Sequence, residues 1–144
     1  MKKLLTLVLL AIAVSVASAQ APVANDALYK ALGEKKGLVS LMDDFMPRLV
    51  ADTRMGPFFK PADQKHVKEQ LVEQFCQVSG GPCDYQGQDM KTAHMNMHIT
   101  RGDFNALVEI LQVSMDAQGI PFATQNQLLA RLAPMHRAII TTEK

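Results

Sequence analysis

Tryptophan is absent from this chain of 144 residues, and tyrosine and cysteine occur only twice each. No stretch alternates apolar and polar residues with a period of two, so strands leave no signature. No basic block stands out, and beyond residue 19 the basic and acidic side chains number 13 and 14. A nucleic-acid-binding surface therefore lacks its electrostatic footprint. Internal repeats and low-complexity tracts are missing. So are a nucleophile–base constellation, paired acids at a useful spacing and a phosphate loop.

What is present begins at the N-terminus, MKKLLTLVLLAIAVSVASAQ. Lys2 and Lys3 precede an apolar run from Leu4 to Val16, and Ala17-Ser18-Ala19 supplies a small-residue cleavage site. That order is a secretory signal. The run is short for a membrane span, which takes about 20 apolar residues. An uncleaved anchor helix is the alternative. The residue after the cut is Gln20 rather than cysteine, so no lipid anchor is expected. Residues 1–19 thus read as signal, 20–26 as a flexible leader and 27–144 as one domain. The expected destination lies across the inner membrane, in the periplasm, without stable membrane insertion.

Cys76 and Cys83 flank a turn containing Gly80-Gly81-Pro82. In an oxidising compartment two cysteines favour a disulfide. Two free thiols are the alternative. The spacing is too wide for a zinc motif, and no C-x-x-C-H run exists to attach a c-type haem.

The apolar pattern is helical throughout. Asp26 precedes a short helix that Gly33 ends. Gly37 to Ala51 forms a second, with Leu38, Leu41, Met42, Phe45 and Leu49 on one side and Pro47 as a candidate kink. Asp52 to Pro61 reads as a turn carrying Phe58-Phe59, aromatics that need something large to pack against. Asp63 to Val78 forms a third helix, and Met90 to Met97 one or two turns. A long helix runs from about Gly102 to Gln118, with Thr100 and Asp103 as candidate caps. Thr124 caps a last helix reaching Ile140. The fold class is all-α, with five or six helices.

The segment 90-MKTAHMNMHIT-100 concentrates two of the four histidines. His94 and His98 stand one helical turn apart, among Met90, Met95 and Met97. Three readings stay open: a haem pocket, a soft-metal site or a packed helix. Thioether and imidazole ligands suit copper(I). A periplasmic copper-binding protein using His94, Met95, Met97 and His98 is therefore the alternative function. A helical interaction module without a cofactor leaves Phe58-Phe59 unexplained.

One ordered series of motifs decides between them: 28-LYKALG-33, 44-DFMPRLVAD-52, 58-FF-59, 79-SGGPCDYQG-87, 90-MKTAHMNMHIT-100, 102-GDFNALVEIL-111 and 133-APM-135. In order and spacing it resembles the truncated haemoglobins of group I. The resemblance implies a two-over-two helical sandwich around haem b (iron protoporphyrin IX). It puts the proximal iron ligand at His94, bound through Nε2. Phe59 is implied to stack on the haem, and Met90, Ile99, Phe104 and Leu111 to line its proximal and edge walls. Tyr85 falls at the pocket edge, and Gly80-Gly81 in the turn beneath the haem. A diatomic gas (O₂, NO or CO) is the implied ligand, an electron donor the implied partner, and a monomer the expected state. Catalysis, if any, is haem-based redox chemistry such as NO oxidation.

The distal side departs from the family. Met46 stands where the family commonly has a tyrosine, and Val67 and Leu71 where polar side chains are frequent. His66 and Gln70 lie beside them and are candidates to reach the haem edge. A hydrogen bond to bound O₂ contributes about 1–3 kcal/mol. Its loss speeds O₂ release roughly 10- to 100-fold. Weak O₂ retention is the expectation. Met46 is either a flexible core filler or a sixth iron ligand. His66 is exposed, a propionate partner or a sixth ligand. His98 and His136 are expected at the surface.

Overall fold

The computed structural model describes residues 25–142. The expected secretory signal and most of the expected leader lie outside the described residues. Among the described residues there is no strand. The helices are α1 (Ala27–Ala31), α2 (Glu34–Ala51), α3 (Gly56–Phe59), α4 (Gln64–Val78), α5 (Met90–Ala93), α6 (Arg101–Ala117), α7 (Phe122–Leu132) and α8 (His136–Ile139). A 3₁₀ turn, Ala133–Met135, links the last two. None is long and apolar enough to cross a membrane.

Two packed pairs form the body. In the first, α2 lies on α4; in the second, α6 lies on α7; α2 also meets α6, and α4 meets α7. The stripes read from the sequence build the core. Leu38, Leu41, Met42, Phe45 and Leu49 of α2 meet Val72, Phe75 and Cys76 of α4 and Ile110, Leu111 and Met115 of α6. Leu28 and Tyr29 of α1 close one end, and Leu128 enters from α7.

The helix boundaries differ from expectation for local reasons. Helix α2 starts at Glu34, ahead of Gly37, because Gly37 lets the chain fold against the end of α1. A Cβ there would lie 2.0 Å from the Leu32 carbonyl oxygen. The helix then continues through Pro47, which sits on the solvent side. The expected turn carrying Phe58-Phe59 contains α3, with Pro57 in its first turn, where the missing N–H has no intrahelical partner to lose. Asp52 sets up that entry by accepting from the Arg54 and Met55 amides at 2.7 and 3.2 Å. Arg54 in turn reaches Glu109 of α6 at 2.7 Å.

Thr100 caps α6 as expected, and Asp103 completes a capping box. Thr124 is not a cap. Helix α7 begins after Pro121, which puts Thr124 in the first turn, buried, with its amide donating to the Pro121 carbonyl at 2.8 Å. The final helical stretch is broken by Pro134 into α7, the 3₁₀ turn and α8.

Cys76 and Cys83 are joined, with Cα atoms 5.8 Å apart. The bond ties the last turn of α4 to the loop behind it. Gly81 makes the approach possible: a Cβ there would come within 2.6 Å of the Tyr29 ring and 2.7 Å of Cys76 Sγ.

Candidate functional site

Helix α5 is a single turn. Asp89 caps it, accepting from the Thr92 amide at 3.0 Å and the Thr92 hydroxyl at 2.6 Å. Those bonds hold the Asp89 carboxyl below its ordinary pKa. His94 follows as the C-cap and is half-buried. Its Nδ1 lies 2.8 Å from the Met90 carbonyl oxygen. A carbonyl only accepts, so Nδ1 carries a proton in this contact, and in the neutral ring the lone pair then sits on Nε2. That is the tautomer of a metal-ligating imidazole, with its ring plane set by the backbone.

Past His94 the helix stops, shorter than the expected Met90–Met97. Asn96 and His98 take left-handed backbone angles, φ 65° and 54°. The alternation of short turns scatters the H-M-N-M-H side chains. His94 and Met97 are half-buried, whereas Met95 and His98 are exposed. Among the described residues no group of three or more His, Cys, Asp or Glu side chains is placed to hold a metal.

Helix α4 carries Val67, Gln70, Leu71 and Gln74 at helical spacing. Gln74 crosses to α5: its Nε2 lies 3.2 Å from Met90 Sδ and 3.9 Å from Met135 Sδ. Gln70 meets the loop before α5. A Cβ on Gly87 would lie 2.2 Å from Gln70 Oε1 and 2.3 Å from Tyr85 Oη. Tyr85 donates to the Gln88 carbonyl at 3.0 Å, while the buried Gln70 Oε1 has no partner among the described residues. Burial, and then the Asp89 carboxylate, push the Tyr85 phenol above its ordinary pKa. On the far side, Phe104 and His136 stack at a tilt with ring centroids 6.2 Å apart.

The sequence candidates thus fall into three classes. Met46, Ile99 and Leu111 are buried. Phe59, Val67, Gln70, Leu71, Tyr85, Met90 and Phe104 are half-buried. His66 is exposed at the start of α4, its backbone amide bound to the Asp63 cap at 3.0 Å. Gln74, Met135 and His136 were not among the candidates. His136, expected at the surface, is half-buried against Phe104.

A family model described as bacterial-like globin matches residues 27–141. A group 1 truncated haemoglobin of Mycolicibacterium paratuberculosis is 30% identical over 116 residues, 81% of this chain and 85% of the relative. The chain belongs to the bacterial-like globins and is a truncated haemoglobin of group I. A second relative, from Tetrahymena pyriformis, is 29% identical over 69% of this chain and 83% of its own length. The solved structure of the Tetrahymena pyriformis truncated haemoglobin in its Fe(III) form superimposes with a TM-score of 0.77 at 25% identity, covering 80% of this chain and 98% of that one. The all-α expectation and the two-over-two sandwich are therefore correct.

Membership of the globins carries haem binding and, with it, the binding of diatomic gases. The residues of this globin fit that group. His94 has its Nδ1 engaged by the Met90 carbonyl, which leaves Nε2 available to a metal. Phe59, Val67 and Leu71 lean on the core while keeping part of their apolar surface uncovered. A flat apolar macrocycle is the kind of partner that completes such burial.

Proposed function

We propose that this globin binds haem b through His94 Nε2 and reversibly binds a diatomic gas on the face lined by Met46, Val67 and Leu71. The carrying observation is the 2.8 Å contact between His94 Nδ1 and the Met90 carbonyl, which leaves Nε2 as the free donor. The haem, once bound, supplies the gas-binding iron. The chain supplies the rest. His94 holds one side of the metal and Met90 fixes the plane of its ring. Phe59, Val67 and Leu71 shed water from the other side. An apolar lining gives bound O₂ no strong donor, so release is fast. Met46 is buried with the core and fits the role of filler.

The proposed setting is the periplasm. The Cys76–Cys83 bond supports an oxidising compartment, and the N-terminal signal pattern supports export. The test is the ferric and ferrous absorption spectrum of the haem-loaded mature chain beside His94→Ala. The wild type is expected to take up one haem per chain, and the variant to lose the normal ferrous spectrum. An unchanged spectrum in the variant rules out His94 as the ligand. Absence of haem uptake by the wild type removes the whole reading.

A further inference from the structure

Gln74 is buried, 9% exposed. Its Nε2 hydrogens point at sulfur, Met90 Sδ at 3.2 Å and Met135 Sδ at 3.9 Å. A thioether is a weak acceptor. Burying an amide against weak acceptors costs free energy that leucine at the same place does not. Gln74 therefore makes a poor core residue, and its geometry suggests what it does instead. Met90 opens α5, and its backbone carbonyl is the acceptor for His94 Nδ1. A continuous path runs from the α4 wall, through the Gln74 amide and the Met90 side chain, to the carbonyl that sets the His94 ring. Met135 ties the same amide to the turn ahead of α8.

We propose that Gln74 is a positioning residue for His94, acting through Met90, and that it couples α4 to the imidazole that holds the iron. The proposal rests on His94 as the iron ligand. A carbonyl-bound Nδ1 proton fixes the ring plane and raises the basicity of Nε2. Anchoring Met90 by its side chain keeps that carbonyl in place when α4 and α5 move against one another. Leucine at position 74 frees the Met90 side chain and lets the ring rock.

The experiment compares the full chain with Gln74→Leu, Met90→Leu and the double variant. The iron–histidine stretching band of the ferrous haem-loaded protein is read by resonance Raman. Solvent exchange of the His94 Nδ1 proton is read by NMR, with and without haem. In Gln74→Leu the band is expected to shift and broaden. Exchange is expected to speed up about three- to tenfold, the range that one net hydrogen bond commands. Met90→Leu should reproduce both effects, and the double variant should add nothing, because the two residues lie on one path. An unchanged band and exchange rate in Gln74→Leu overturn the proposal. A full second increment in the double variant overturns the route through Met90. Should Gln74→Leu fail to fold, Met90→Leu alone decides by the same two readouts. A failure of the haem reading looks different: no haem is taken up, while exchange in the haem-free chain still reports on the Gln74 path.

Discussion

Breaking the Cys76–Cys83 bond isolates one term of the stability of this globin. The bond spans seven residue steps. Opening so small a ring returns about 2.4 kcal/mol of conformational entropy to the unfolded chain at 25 °C. Little else should change. Cys76 is fully buried among apolar neighbours, and a free thiol is a small hydrophobe that tolerates such a place. The turn keeps its own hydrogen bonds, from the Gly81 amide to the Cys76 carbonyl at 2.8 Å and from the Tyr85 amide to Gln77 Oε1 at 2.9 Å. For a chain of this size each kcal/mol moves the melting temperature by about 4 °C, so a fall of roughly 10 °C is expected. The assay is thermal melting of the haem-free wild type with and without a phosphine reductant, beside Cys83→Ala. Thiol titration confirms that the bond has opened. The reduced wild type and the variant should melt together, and the variant should ignore the reductant. Melting within about 2 °C of the oxidised protein refutes the loop-entropy reasoning.

Two further outcomes follow from named side chains. Met46→Tyr puts a hydroxyl on the proposed distal face and is expected to slow O₂ dissociation roughly 10- to 100-fold in stopped-flow measurements, the value of one hydrogen bond to the bound gas; an unchanged rate removes Met46 from that face. Arg54 and two backbone amides lower the Asp52 pKa from 3.8 to about 2. Its folded-state value is thus depressed. The stability it contributes is present above pH 3.8 and is lost as pH falls toward about 2. Asp52→Asn should flatten the acid limb of denaturant-midpoint curves over that window and leave the rest of the pH profile parallel to wild type.

The long helices were legible because burial imposes periodicity. Phe104, Leu107, Leu111 and Met115 recur at helical spacing, and Thr100 with Asp103 announces the start of α6. Helix α3 was hidden for the opposite reason. Four residues make no period, and Pro57 there reads as a turn. Gly37 misled in a related way. Its glycine serves a close approach of Leu32, not a helix break. His94 stood out because histidine is rare in this chain. Gln74 and His136 did not, because a lone polar residue on a helix normally faces water. Only the contacts with Met90, Met135 and Phe104 show otherwise. The disulfide was inferred from compartment, and the joined cysteines of the structure agree with it.

The stretch past α8 folds back onto the chain just beyond His94. The amides of Thr141 and Thr142 both donate to the Ile99 carbonyl, at 2.9 and 3.0 Å, and the Thr141 hydroxyl accepts the Ile99 amide at 2.9 Å across 42 residues of sequence. Contacts that distant form late, since the loop between them must first be closed. A chain emerging N-terminus first can pair α2 with α4 while residue 141 is still to come. The wall formed by α4 is thus ready early, and the loop that follows His94 is clasped only after α8 has docked. A bulky fusion placed directly after residue 142 would therefore be felt forty residues upstream, in the loop that follows His94.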